Sequence, residues 1–313
     1  MIPLPALGLG TVPLGNFGRA IADEEALAVV AAAWGGGIRY FDTAPLYGFG
    51  LAERRLGHAL TELPRDQFLV STKVGRLLVA GGPPDPTLYD AGRPIYHEVP
   101  DLAPVPDFSV AGIRQSLESS LERLGLDRVD VVFLHDPQGH EAAVVDHAYP
   151  TLVELRAAGL LRAIGVGTTD VACLQRLVEA LPLDLVMIAS RVSLLDHSAA
   201  DELLPRCRDR GVQVVGAGVF NSGLLAAPQP GAMFHYRRAP EDVLGLATAL
   251  RTACAEFSVP LGAAALCFPR EVLGISTVVV GAQTVAQVRD DLTWAGAAIP
   301  AALWMRLDEL TRT

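Results

Sequence analysis

Short apolar, β-branched runs alternate with helical patterns along the whole chain, and this alternation limits the possible folds more than any single motif. The apolar runs are ALGLGTV (6–12), RYFDTA (39–44), FLVSTKV (68–74), VDVVFLH (129–135), LRAIGVG (161–167), LDLVMIAS (183–190), VQVVGAG (212–218) and STVVVGA (276–282). Helical patterns occupy 23–34, 51–60, 109–125, 147–159, 170–181, 199–211, 239–257 and 284–296. Asp23, Ser109 and Asp170 stand where N-caps belong, and Gly125, Gly159 and Gly211 stand just past helix ends. The strand candidates are continuously apolar, as parallel strands covered on both faces are. Eight strand–helix units predict a (β/α)8 TIM barrel, with residues 1–313 as a single domain. A doubly wound open sheet is the competing arrangement. Against it, Gly8, Gly10 and Gly15 do not form the dinucleotide fingerprint between a strand and a helix.

Two segments interrupt the alternation. Residues 75–107, rich in proline and glycine, follow the third strand. In a barrel that position lies over the C-terminal face, and loops of such length are usually functional or disordered. Residues 300–313 read as one further amphipathic helix.

Composition narrows the function classes. The net charge is -10, from 35 acidic and 25 basic residues, so phosphate backbones and anionic membranes are expected to be poor partners. Cys173, Cys207, Cys254 and Cys267 match no metal-ligand spacing, and nothing in their positions points to pairing. With no signal-peptide pattern at the N-terminus and no run of 18 apolar residues, a soluble cytoplasmic protein is expected. Among the basic residues a single lysine, Lys73, stands beside arginines alone. A chain that otherwise uses guanidinium for every positive charge keeps one compact ammonium, whose pKa responds readily to burial.

Lys73 ends the third strand, Asp42 ends the second, His135 ends the fourth, and Tyr47 follows the second in its loop. Strand ends at the C-terminal face are where barrel enzymes place their chemistry. A phenol titrates near 10, too high to exchange protons at neutral pH. An adjacent ammonium favours the phenolate, and a carboxylate beside the ammonium keeps it charged and positioned. An imidazole can hold a carbonyl or alcohol oxygen. Together the four form a tunable acid/base at a carbon–oxygen centre, suited to alcohol–carbonyl interconversion with a bound hydride carrier.

The segments GLGTVPLG (8–15), YFDTAPLYGFGLAERRLGHAL (40–60), VSTKVGR (70–76), DVVFLHD (130–136), AIGVG (163–167) and FNSGLLA (220–226), in this order, resemble the aldo-keto reductase superfamily over about residues 4–310. The resemblance implies a barrel that binds a nicotinamide cofactor across its C-terminal face, with Asp42, Tyr47, Lys73 and His135 as catalytic tetrad and Tyr47 as proton donor or acceptor. The insertion, HDP and FNSGLL resemble most the branch that oxidises aldoses at carbon 1, with pyridoxal dehydrogenases close by. Aldoses, pyridoxal or related small carbonyls and hemiacetals are therefore the expected substrates. Gly10, Thr11, Asp42, Thr168, Phe220, Asn221, Ser222, Gly223, Gly281, Ala282, Gln283, Gln287 and Asp291 are implied in cofactor binding.

The chain also departs from the family pattern. Many family members carry an N-terminal hairpin over the barrel floor, whereas here the first strand is expected almost immediately. Gly167, Thr168 and Thr169 replace a common Ser-Asn-Phe, Ala189 or Ser190 stands where a glutamine is usual, and Ala217 replaces the tyrosine that stacks on nicotinamide. Phe220 is left either to stack from nearby or simply to pack. Relatives dependent on NADP place bases after the eighth strand, where this chain has GAQTVAQVRDD (281–291). Gln283 and Gln287 would hydrogen-bond a free ribose hydroxyl, while Asp290 and Asp291 beside Arg289 oppose a phosphate, so NAD is expected rather than NADP. Arg191 or Arg289 swinging toward the phosphate is the competing possibility. Val12, Pro13, Leu46, the insertion and Trp294 are expected to wall the substrate site. Two other function classes remain open: a Schiff-base lyase using Lys73 as nucleophile, and a non-catalytic cofactor-sensing subunit such as potassium-channel β-subunits.

Overall fold

The computed structural model describes residues 2–90, 92–235 and 237–311. Eight strands close into a parallel barrel: β1 (Leu7–Gly10), β2 (Tyr40–Asp42), β3 (Leu69–Val74), β4 (Val131–His135), β5 (Ala163–Thr168), β6 (Leu185–Ala189), β7 (Gln213–Ala217) and β8 (Thr277–Gly281). Each strand pairs with its neighbours in sequence, and β8 closes on β1 with Gly281 opposite Gly10. All eight expected strands are present, their ends differing by a few residues.

Strand alternation decides what fills the barrel. Inward positions carry Tyr40, Val131, Phe133, Ala163, Leu185, Met187, Val215 and Val279, and Ile2 joins them from below. Ile2 and Leu4 thus fill the floor that a hairpin covers in many relatives. Two residues further up β2, β3 and β4, the same inward direction belongs to Asp42, Lys73 and His135. The interior is therefore apolar below and ionic at the top.

The helical layer packs outside. Ser109 and Asp170 cap as expected, accepting from Gly112 N at 3.1 Å and Cys173 N at 2.8 Å. Asp23 does not cap. Ala22 is the N-cap residue, its amide held by Glu25 at 3.1 Å, while the Asp23 carboxylate accepts from Arg55 at 2.7 Å. The helix expected from 147 begins at Glu141 and passes through a π turn, Val144–Ala148, just before Pro150. Proline has no N–H for the ladder there, which fits a widened turn. The expected 199–211 helix shortens to Leu203–Asp209.

One helix was not expected. After β7 come two, Glu241–Glu256 and Leu261–Glu271, and the second packs on the barrel next to β8. Residues 261–269 are all buried, so the segment shows no amphipathic period, and Pro269 sits inside it. No single described helix is long and apolar enough to cross a membrane.

The 75–107 insertion is folded. Arg76–Ala80 pairs antiparallel with Leu102–Pro106, and its far end crosses the barrel mouth to the loop after β1. There Gly18 N donates to Ile95 O at 2.8 Å and His97 N to Asn16 O at 3.1 Å. Leu46, Leu88 and Tyr96 form an apolar cluster with Val12, Phe17, Tyr47, Phe49, Ile95 and Val99.

Backbone crowding where helices Leu51–Leu60 and Val110–Leu124 meet gives a test of this packing. A Cβ on Gly57 would lie 2.3 Å from the Leu124 carbonyl oxygen. Gly57→Ala should therefore cost about 1–3 kcal/mol of stability through overpacking. The check is urea unfolding; an unchanged midpoint would contradict this contact.

Candidate active site

The barrel register brings three of the four sequence-selected residues together. Asp42 lies opposite Ser71 on β3, and Lys73 lies one inward step above Ser71. Lys73 Nζ donates to Asp42 Oδ2 at 2.6 Å and to the Thr43 carbonyl at 2.9 Å. Ser71 Oγ donates to the other carboxylate oxygen, Oδ1, at 2.7 Å. Because the serine proton is used there, the Tyr40 hydroxyl donates to Ser71 Oγ at 2.9 Å. Burial, then the Asp42 charge, pushes the Tyr40 phenol well above its ordinary pKa, so it remains a donor. This Tyr40–Ser71–Asp42–Lys73 chain runs up the barrel interior. Tyr40 and Ser71 carried no sequence signal beyond their inward parity.

Tyr47 comes from the loop after β2. Its ring centroid lies 4.7 Å from Lys73 Nζ and 6.1 Å from the His135 ring, the two rings edge to face. All four residues therefore converge. The loop reaches this position by a close backbone approach. Gly48, at φ 61°, has no room for a side chain, since a Cβ would fall 2.4 Å from the Gly15 carbonyl oxygen.

His135 is buried, and its pKa is held well below the usual imidazole value by burial first, then by the charges of Lys73 and Arg76. Asp136 Oδ2 lies 3.6 Å from His135 Nε2, but burial raises this carboxyl and Arg76 shares its charge at 3.3 Å. The imidazole is thus neutral, able to hold a hydroxyl or carbonyl oxygen without competing for the transferred proton.

The implied cofactor residues divide into several groups. Gly10 and Gly281 lie side by side at the C-terminal ends of β1 and β8, where a Cβ on Gly281 would meet the Pro13 ring at 3.0 Å. Thr11 Oγ1 and both amide atoms of Asn221 are buried without a partner among the described residues. Asn221, Ser222 and Gly223 have φ of 46°, 59° and 91°, a left-handed run that forms a tight turn in which Asn221 N donates to Gly218 O at 2.9 Å and Gly223 N to Phe220 O at 3.1 Å. Buried polar groups left unpaired in a native fold call for a ligand, and these suit the hydroxyls and phosphates of a dinucleotide. Thr168 Oγ1 instead donates to Gln138 at 3.1 Å. Ala282 and Asp291 are buried.

Three expectations are corrected. Phe220 packs edge to face on Trp294 at 5.8 Å, in the layer of Val219, Leu266, Val278 and Val280 behind the strands. Phe220 is thus a packing residue rather than a nicotinamide stack, and Trp294 does not wall the substrate site. Gln287 Oε1 accepts from Gln283 N at 2.7 Å and Thr284 N at 3.1 Å, capping the helix start. The Gln283 amide donates to Phe17 O at 2.9 Å and Arg19 O at 3.4 Å. Both glutamines thus bind the chain's own backbone.

Lys73 is ill placed as a Schiff-base nucleophile, since its nitrogen is buried in donation to Asp42 and Thr43. The four cysteines are buried and free, and burial pushes Cys173 to about 12 and Cys207 and Cys254 to about 11. No metal-binding cluster occurs among the described residues.

A profile of the aldo/keto reductase family matches residues 6–312. The chain belongs to the aldo/keto reductase family, and it is an oxidoreductase of the nicotinamide-dependent kind. It is 43% identical to a D-threo-aldose 1-dehydrogenase of Pseudomonas sp., over 98% of this chain and 94% of the relative. It is 37% identical to a pyridoxal 4-dehydrogenase of Microbacterium luteolum, with the same coverage of 98% and 94%. Among solved structures, an aldo-keto reductase of Bacillus halodurans in its holo form superposes with a TM-score of 0.75 at 25% identity, covering 97% of this chain and 91% of that one.

Asp291 supplies a pH test. Burial, then the neighbouring Asp290, raises its carboxyl to about 7. A folded pKa above the unfolded one means stability present below about pH 4 and lost as pH rises through about 7. Asp291→Asn should melt progressively higher than the wild type across that window, the difference levelling off above it. A melting difference independent of pH would contradict the assignment.

Proposed function

We propose that the protein oxidises the anomeric carbon of an aldose or a similar cyclic hemiacetal to a lactone, and runs the reverse reduction, with NAD as preferred cofactor. The observation that carries this is the buried Lys73 ammonium between the Asp42 carboxylate, at 2.6 Å, and the Tyr47 ring, at 4.7 Å. Such an arrangement serves proton transfer at an oxygen. Tyr47 takes the proton from the anomeric hydroxyl, or returns it to a carbonyl oxygen in reduction. Lys73, fixed in place by Asp42 and Thr43, sets positive charge beside the phenol as that proton moves. Neutral His135 orients the reacting oxygen. A nicotinamide cofactor would be held by Thr11, Asn221, Ser222 and Gly223 and would supply hydride acceptance at carbon. The names of the Pseudomonas and Microbacterium relatives support a sugar-like or pyridoxal-like hemiacetal.

The NAD preference rests on charge. No lysine or arginine lies between Gly281 and Val288, and the nearby Arg19 guanidinium is 3.8 Å from Glu25. The free, buried thiols suit a reducing cytoplasm.

An initial-rate screen of aldoses and pyridoxal with both oxidised cofactors tests substrate and cofactor together. A higher kcat/KM with NAD is expected, and an NADP preference would overturn that part. Tyr47→Phe should cut kcat by about 100-fold or more while cofactor binding by fluorescence is retained. Lys73→Arg should also fail, because a planar guanidinium cannot replace the compact ammonium in that pocket. Near-normal turnover in either variant would refute the mechanism.

The folded insertion packs on Tyr47 through Leu46, Leu88 and Tyr96, which supports a pocket wall or lid. Shortening it between Gly81 and Pro104 should raise KM or change substrate preference while the barrel still folds. An unchanged substrate profile would exclude a lid role.

A further inference from the structure

Beside the four converging residues stands an ion-paired group that the proton-transfer chemistry does not use. Asp136 directly follows His135 and adopts φ 45°, a left-handed conformation in which its backbone N–H donates to Gly167 O at 2.9 Å. Such a backbone is uncommon outside glycine and costs some strain, which concentrates at functional positions. It brings the Asp136 carboxylate back alongside the imidazole, with Oδ2 3.6 Å from His135 Nε2. The second member, Arg76, opens the first strand of the insertion and reaches Asp136 at 3.3 Å and Asp85 at 3.5 Å. Arg76 Nε is buried without a partner among the described residues, a donor left over after both carboxylates are bridged. Lys73, Thr168 and His135 are the other polar groups around Asp136.

Arg76 and Asp136 satisfy much of each other's charge, but the buried Arg76 Nε and the Asp136 carboxylate beside the catalytic imidazole retain hydrogen-bonding capacity for a polar group. We propose that Asp136 and Arg76 form a polar subsite that reads the hydroxyl on the carbon next to the reacting one. This rests on the aldose reading above. His135 Nε2 holds the oxygen on the reacting carbon, and the Asp136 carboxylate accepts from the neighbouring hydroxyl. Arg76 donates to that same oxygen or fixes the carboxylate facing it. The separation of Nε2 and Oδ2 suits two oxygens on adjacent carbons. Because Arg76 also holds Asp85, substrate recognition and the seating of the insertion share one guanidinium.

The test compares kcat/KM for an aldose and its 2-deoxy analogue in wild type, Asp136→Asn and Arg76→Gln. Wild type should favour the 2-hydroxy substrate by at least about tenfold, the value of a hydrogen bond to a charged group. In Asp136→Asn the preference should fall to within about threefold, and Arg76→Gln should reduce it in the same direction. Circular dichroism confirms that each variant is folded, and either folded variant is sufficient. A wild-type preference that survives both substitutions, or an equal loss on both substrates, overturns the subsite while the aldose reading stands. A wild type that oxidises no aldose but converts other carbonyls overturns the aldose reading and the subsite with it.

Discussion

The ion pair between Lys73 and Asp42 is the interaction on which the rest of the site depends. Both side chains are almost fully buried, at 2% and 3% exposure, so water contributes nothing to their charges. A pair so placed persists only if every remaining donor and acceptor is satisfied. The barrel does this through strand register. Ser71 and Tyr40 serve the carboxylate from below, and the Thr43 carbonyl takes a second ammonium proton. What is left of the ammonium faces Tyr47. The apolar lower interior, from Ile2 to Met187, keeps this network in a low-dielectric setting, where a directed charge acts strongly.

The same network shows why so much was legible in the sequence. Strands buried on both faces must be apolar throughout, so polar residues at their C-terminal ends stand out, and Asp42, Lys73 and His135 are of that kind. Other parts left weaker traces. In helix Leu261–Glu271, residues 261–269 are all buried, so it lacks the polar stripe by which helices are recognised. Tyr40 and Ser71 look like ordinary strand residues until a register is known. Gln283 and Gln287 were read by residue type, yet a primary amide bonds equally well to a ribose or to a backbone, and local geometry decided for the backbone. Phe220 was open between stacking and packing for the same reason: an aromatic side chain near a cofactor site also finds partners behind the sheet.

Tyr47 is the one member of the group not held by a strand, so its position depends on loops. Gly15 and Gly48 let two backbones touch, which fixes the tyrosine loop against the loop after β1. Arg55 clamps that second loop, donating to Leu14 O, Ile21 O and the Asn16 side chain at 2.7, 2.7 and 2.8 Å, and to Asp23 at its base. Nearly buried, the guanidinium replaces the hydrogen bonds that a regular element would otherwise supply.

The far end of the insertion docks on this same clamped loop, through Asn16 and Gly18, and its near end reaches Asp136 through Arg76. The insertion is therefore pinned at both ends to segments that also position members of the proposed tetrad: Tyr47 at one end, His135 at the other. Chemistry and specificity are divided accordingly. The ion pair and its hydrogen-bond chain belong to the closed barrel, whose register tolerates little change. The surfaces proposed to meet the rest of the substrate belong to loops fastened to it at a few polar contacts. A change in the insertion can be made without moving Lys73 or Asp42, because no hydrogen bond described for that pair passes through it.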